Sequence, residues 1–307
     1  MPEPTTSLRP TFRPKITTHR QLVQAYLTTP LTLREVVQRT KLKQQLRRRK
    51  AKRKTLEVGV LRRTHVLPET GESLPYALYV PRAAAKSNEP MPLLLALHGL
   101  AYTYDWAVGL ENLVDYAEAN GMLIVSPLGY SEGGWYGAPD LTEGGARSEE
   151  TRLSEADVWR VLQLAMKEYR IDPRRVYAWG FSMGGGGALH LALQRPTTFR
   201  AIGLVAPALG IPPRGTYDGG IPPFYKDEGV DLRSLRHLNV AVVYGTRDRL
   251  IDVGITRGLI DDLAEAGVDK VMSVEVEGGR HDCEALVDDG RLERMLDAML
   301  RDFGSAG

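Results

Sequence analysis

Gly180-Phe181-Ser182-Met183-Gly184 is the stretch on which the reading of this 307-residue chain turns. It follows an apolar run, Arg175-Val176-Tyr177-Ala178-Trp179, and opens a small-residue segment, Gly185-Gly186-Gly187-Ala188-Leu189-His190-Leu191-Ala192-Leu193. A bare Gly-x-Ser-x-Gly recurs by chance. Between a strand and a helix it is the nucleophile-elbow signature, because only glycine two residues either side of the serine lets strand and helix approach so closely. Such a turn pushes the Ser182 oxygen out of the sheet and points the next backbone N–H, that of Met183, at the same spot.

Working outward, apolar runs alternate with helical signals. Leu56–Leu61 and Pro75–Val80 alternate as half-buried strands do, and these two are candidates for antiparallel pairing at one edge. Pro92–Leu97 is continuously apolar, as in a parallel strand covered on both faces. Met122–Val125, Val176–Trp179, Phe199–Val205, Val240–Tyr244 and Val271–Val276 extend the strand list. Helices are expected at Leu110–Asn120, stopped by Gly121; at Ser154–Arg170, with Ser154 as N-cap and Glu155 and Asp157 in the first turn; near Val253–Ala266; and at Asp282–Phe303. The alternation predicts an α/β fold with a mainly parallel central sheet flanked by helices on both faces. Two connections are long, 131–153 and 207–239, and loops of that length usually carry function or lack order.

Serine needs a base to take its proton, and the base needs an acid to orient it and balance its charge. An elbow of this kind predicts the chain order Ser, acid, His. Asp248 follows strand Val240–Tyr244 through Gly245-Thr246-Arg247, at the strand end where functional groups gather in parallel sheets. Taken alone it reads equally as a turn carboxylate or a cap. Asp252 competes, but it looks more like the N-cap of the next helix. His281 follows the last strand through Glu277-Gly278-Gly279-Arg280, where glycines allow a loop back over the sheet edge. His19, His65, His98, His190 and His237 lack that position. A pair of N–H donors for a developing oxyanion is expected from Met183 and from the His98-Gly99-Leu100-Ala101 turn, with Leu100 the first choice and Ala101 the second.

Together, Leu97-His98-Gly99, Asp172-Pro173-Arg174-Arg175-Val176-Tyr177, Gly180–Gly185, Gly245–Asp248 and His281 make the chain resemble the α/β-hydrolase superfamily over about residues 56–303. It is most similar to feruloyl-esterase and polyhydroxybutyrate-depolymerase-like esterases, which share features with the catalytic domain of prolyl oligopeptidases. The resemblance implies Ser182, Asp248 and His281 as a catalytic triad and Leu100 with Met183 as oxyanion donors. It also implies a small lid in place of 207–239, no metal or organic cofactor, and activity on carboxylic esters that in some members extends to synthetic polyesters. A serine peptidase of prolyl-oligopeptidase type and a non-catalytic binding protein on the same fold are the competing readings. The β-propeller of true prolyl oligopeptidases is absent from this chain.

Aromatic residues cluster in the same connections. Tyr102, Tyr104 and Trp106 follow the oxyanion turn, Trp135 and Tyr136 lie in the glycine-rich loop, and Tyr217, Phe224 and Tyr225 lie in the lid segment. Flat, partly polar walls suit an aromatic acyl group. The substrate expectation is a short-chain or aromatic ester rather than a long-chain triglyceride.

Bulk properties bound the rest. Apolar residues make up 43% of the chain and the net charge is +2. That charge is uneven: residues 34–54 hold eleven Arg or Lys and one acid, Glu35, so the remainder sums to −8. Residues 1–54 therefore read as a basic helical extension and 55–307 as the catalytic domain. Charge runs are usually solvated faces; nucleic acid or an anionic membrane is the alternative partner for Arg47–Lys54. The single cysteine, Cys283, excludes an internal disulfide. No apolar run approaches the roughly 18 residues of a membrane span, and the N-terminus lacks the apolar stretch of a signal peptide, so a cytoplasmic location is expected.

Overall fold

The computed structural model describes residues 56–139, 147–210 and 223–301. The basic extension at 1–54 and the middle of the lid segment, 211–222 with Tyr217, lie outside the described residues.

Eight strands form one sheet: β1 (Gly59–Val66), β2 (Ser73–Val80), β3 (Met91–Leu97), β4 (Leu123–Pro127), β5 (Ile171–Phe181), β6 (Ala201–Val205), β7 (Asn239–Gly245) and β8 (Val271–Val276). Their order is β1-β2-β4-β3-β5-β6-β7-β8. β1 and β2 pair antiparallel at one edge, β2 joins β4 antiparallel, and every pair from β4 to β8 is parallel. The helices are α1 (Arg82–Lys86), α2 (Glu111–Ala119), α3 (Glu149–Glu168), α4 (Met183–Gln194), α5 (Val253–Glu265), α6 (Cys283–Val287) and α7 (Arg291–Leu300).

The continuous apolar strands have the environment that their composition requires. In β3, Leu93, Leu95 and Leu97 face a layer built on α3, α4 and α5. Leu94 and Ala96 face the opposite layer, built on α2, α6 and α7. All five are fully buried, and each such leucine contributes about 1.5–3 kcal/mol through removal from water. β7 divides the same way, with Val240 and Val242 on one side and Ala241 and Val243 on the other.

Two helix boundaries differ from expectation. α3 starts at Glu149, not after Ser154; its N-cap is Ser148, whose side chain accepts from the Thr151 N–H, with Glu149 and Glu150 in the first turn. Ser154 is buried inside the helix, and its Oγ accepts from the Tyr136 N–H at 3.0 Å. Ser148 carries the same capping chemistry one and a half turns earlier, so the cap motif alone did not discriminate. The C-terminal helix is two helices. Asp289 (φ 51°) and Gly290 (φ 70°) take left-handed conformations that break it. Arg291 then closes the end of α6, donating to the carbonyls of Leu286 and Ala285 at 2.8 Å each.

In the described part of the lid segment the large apolar side chains belong to the core, while Lys226–Gly229 are exposed. Phe224, Tyr225, Leu235 and Leu238 are all buried in the layer against α4 and α5. The Phe224 N–H donates to the Leu209 carbonyl at 2.7 Å, tying the end of the segment to its beginning.

Candidate active site

β5 ends at Phe181 and α4 starts at Met183, leaving one residue to reverse the chain. Ser182 does so at φ 54°, ψ −117°, a strained conformation for a residue with a Cβ. Backbone hydrogen bonds hold it there: its N–H donates to the Val205 carbonyl at the end of β6 at 2.8 Å, and its carbonyl accepts from Gly186 of α4 at 3.0 Å and from Ala208 beyond β6 at 2.9 Å. The elbow glycines are required by contact. A Cβ on Gly180 would strike the Gly184 backbone, and one on Gly184 would strike the Leu97 carbonyl.

The other two groups arrive on loops beyond neighbouring strands. Gly245, at the end of β7, lies against the backbone of Gly279, beyond β8, so closely that a Cβ on Gly245 would overlap it. The Arg247 N–H donates to the Gly279 carbonyl at 2.8 Å. This packing brings His281 over Asp248. His281 Nδ1 is 2.6 Å from Asp248 Oδ2, and its Nε2 is 2.9 Å from Ser182 Oγ. An ionised carboxylate only accepts, so Nδ1 carries the proton and donates to Asp248, leaving Nε2 to accept from the Ser182 hydroxyl. The other oxygen of Asp248 accepts from the N–H groups of Leu250 and Ile251 at 2.8 and 2.9 Å, which turns Oδ2 toward the imidazole. The Asp248 side chain is 3% exposed and that of His281 12%, so this pair is shielded while the serine opens onto a cleft. Asp252 caps α5 instead, accepting from the Gly254 N–H at 2.6 Å.

At the oxyanion turn, the Ala101 N–H donates to the Glu132 carbonyl at 3.2 Å and the Tyr102 N–H to Gly99 at 3.1 Å. Neither the Leu100 nor the Met183 N–H meets an acceptor among the described residues. Ala101, the second choice, is thus occupied. His98 beneath the turn is fully buried, and burial pushes its pKa down despite carbonyls of Gly99 and Leu128 at 2.8 Å from its ring nitrogens.

The cleft in front of Ser182 has a volume of about 330 Å³ and is walled by Leu100, Tyr102, Trp135, Phe181, Leu250 and Ile251, with His281 at its side. Of the seven aromatic residues expected to meet substrate, the cleft takes Tyr102 and Trp135. The other five lie elsewhere. Trp106 stacks on Trp179, 5.8 Å between rings, and Tyr104 packs with it against the α2–α7 layer. Tyr136 is fully buried, its ring filling the space that Gly187 leaves on α4 and its hydroxyl donating to the His98 carbonyl at 3.1 Å. Phe224 packs edge-on to His190, and the Tyr225 hydroxyl donates to Asp262 at 2.8 Å. Large aromatics near a glycine-rich helix went to fill the room it leaves. Phe181, Leu250 and Ile251 were missed. The one signal for the last two was their apolar character directly after the acid of the constellation; Leu250 is 44% exposed.

The model of the Esterase family matches residues 68–253, more than half of the chain and inclusive of the elbow and Asp248. The chain belongs to the Esterase family. Among relatives of this esterase-family chain is NocK of Nocardia uniformis subsp. tsuyamanensis, by name an esterase, 33% identical over 144 residues that cover 47% of this chain and 40% of NocK. Another is the S-formylglutathione hydrolase of Rattus norvegicus, 26% identical over 145 residues, covering 43% of this chain and 51% of that protein. The chain spans about half the length of the curated relatives it matches. Among solved structures, the CE1 ferulic acid esterase of Anaeromyces mucronatus superposes with a TM-score of 0.56 at 19% identity, covering 78% of this chain and 91% of that one. The likeness is one of fold: this family member has the α/β-hydrolase fold.

Proposed function

We propose that this protein hydrolyses carboxylic esters through an acyl-enzyme formed on Ser182. The observation that carries the reading is the single imidazole standing 2.9 Å from the Ser182 oxygen and 2.6 Å from the Asp248 carboxylate. His281 Nε2 takes the hydroxyl proton as Ser182 Oγ attacks the ester carbon. The carbonyl oxygen becomes an oxyanion facing the free N–H groups of Leu100 and Met183. The intermediate collapses, the C–O bond to the alcohol breaks, and His281 returns the proton to the leaving oxygen. Water, deprotonated by the same nitrogen, then attacks the acyl carbon, releasing the acid and restoring Ser182.

The acyl partner is a short-chain or aromatic carboxylic acid, and polyesters bearing such units are a further candidate substrate. Two features support this. A cleft of about 330 Å³ is at the small end of ligand sites. Tyr102 and Trp135 supply flat walls, and the family fold is shared with a ferulic acid esterase.

Replacing Ser182 with Ala is expected to abolish p-nitrophenyl butyrate hydrolysis and labelling by a fluorophosphonate, with the thermal midpoint kept. In the same assay methyl ferulate and p-nitrophenyl butyrate should turn over faster than p-nitrophenyl palmitate. Normal turnover by the Ser182→Ala variant would sink the proposal; fastest turnover of the palmitate would sink the acyl preference.

A further inference from the structure

A second cavity, of about 400 Å³, shares no lining residue with the cleft at Ser182. Four arginines line it, Arg147, Arg152, Arg160 and Arg195, against two carboxylates, Glu69 and Glu155. Among the described residues, only Arg147 of these four is ion-paired, with Glu155. Among the described residues, Arg152, Arg160 and Arg195 have no carboxylate within ion-pair distance. Three guanidinium groups without a carboxylate partner around one concavity repel one another, and an anion bound among them would relieve that repulsion.

Two of the three are also held in place. Arg195, at the end of α4, sits over the Trp159 ring with its guanidinium carbon 4.1 Å from the ring centre. Trp159 is fixed from elsewhere: its indole N–H donates to Glu155 at 3.1 Å, and it stacks on Phe199 at 6.0 Å. Stacking occupies the face of a guanidinium and leaves its N–H edge open, the arrangement suited to an oxyanion. Arg152 donates to the Arg147 carbonyl at 3.1 Å and so is tethered with donors to spare. Among the described residues, Arg160 Nε is shielded from solvent and meets no acceptor, a donor whose burial costs stability unless a ligand satisfies it.

We propose that this cavity binds a small molecule through a phosphoryl or diphosphoryl group, held by Arg152, Arg160 and Arg195. A carboxylate offers two oxygens in one plane, enough for one guanidinium fork; a phosphoryl group offers three in a tetrahedral array that three forks share. The cavity has room for more than one such group. Glu155 stays ionised and committed to Arg147 and Trp159, so it does not compete for the three free arginines. The site is independent of ester chemistry at Ser182.

The test is calorimetric titration of the full chain with pyrophosphate, beside citrate, for the natural protein, Arg195→Lys and the double variant Arg152→Gln/Arg195→Gln. Arg152 and Arg195 are exposed, so both variants should fold, with unchanged p-nitrophenyl butyrate turnover as the control. The expected result is one saturable pyrophosphate site, weakened at least about tenfold in the double variant and measurably in Arg195→Lys, which keeps the charge but loses the stacked fork. No saturable binding up to about 5 mM overturns the proposal. Equal binding in the double variant does so too. Citrate binding tighter than pyrophosphate overturns the phosphoryl assignment.

Discussion

The Phe181 ring sits 4.8 Å from the His281 imidazole, tilted by 35°. The residue immediately before the serine thus forms one wall of the slot in which His281 stands. Phe181 is itself wedged, 3% exposed, with Gly99 so near that a Cβ there would lie 3.0 Å from its ring, and with Tyr102 and Trp106 packed around it.

Phe181 is therefore expected to act as a positioning residue. Phe181→Leu keeps apolar bulk but removes the flat wall, and misplacing the base by a fraction of an ångström should lower kcat roughly 10- to 100-fold with KM little changed. Steady-state kinetics on p-nitrophenyl butyrate read this directly. An unchanged kcat in a folded variant would remove the role.

Asp248→Asn separates scaffold from chemistry. The amide oxygen still accepts from the Leu250 and Ile251 N–H groups, so the loop should hold and the thermal midpoint move by only a few degrees. The amide nitrogen now faces Nδ1 and favours the wrong tautomer, and kcat should fall about 10⁴-fold. A loss below tenfold would mean that this carboxylate does not orient the base.

At the far end of β7, Asn239 acts on stability alone. Its side-chain N–H group reaches the carbonyls of Ala298, Met299 and Arg301 at 3.0–3.3 Å, closing the C-terminus of α7. Asn239→Ala leaves those carbonyls without their donor and should cost about 1–3 kcal/mol in urea unfolding. Because the residue begins its strand and the site lies beyond the strand's other end, kcat should stay at the natural value.

Glu155 should make the fold acid-sensitive. Burial opposes its ionisation, but the His190 ring 3.9 Å away, the Trp159 indole N–H and the Arg147 charge outweigh burial and push its pKa down to about 2 from 4.5. Between those values the unfolded chain binds the proton and the folded chain does not, so stability rises with pH. The contribution is full above about pH 4.5 and is lost as pH falls toward 2. Urea midpoints measured across that range should fall less steeply for Glu155→Gln than for the natural chain. Parallel curves would show that the carboxylate is not the group responsible.

Much of this is legible in the sequence. Strand–helix alternation announced the sheet because buried parallel strands must be apolar on both faces, as Leu93–Leu97 are. The elbow glycines and the order Ser182, Asp248, His281 were local patterns whose meaning does not depend on distant packing. Helix ends were less legible, since Ser148 and Ser154 have the same capping chemistry and only packing against Tyr136 separates them.

What the sequence by itself determined was the covalent logic: which side chains are chemically able to attack, take a proton and balance charge, and on which strand ends they ride. Tertiary structure alone decided the distances among them and the walls around them. Whether Tyr136 lines a cleft or fills a core depends on the space left by Gly187, some fifty residues along the chain; whether four arginines share a cavity depends on how α3 meets the end of α4. Close packing makes each such placement a property of all its neighbours at once, and no single stretch of sequence carries that information.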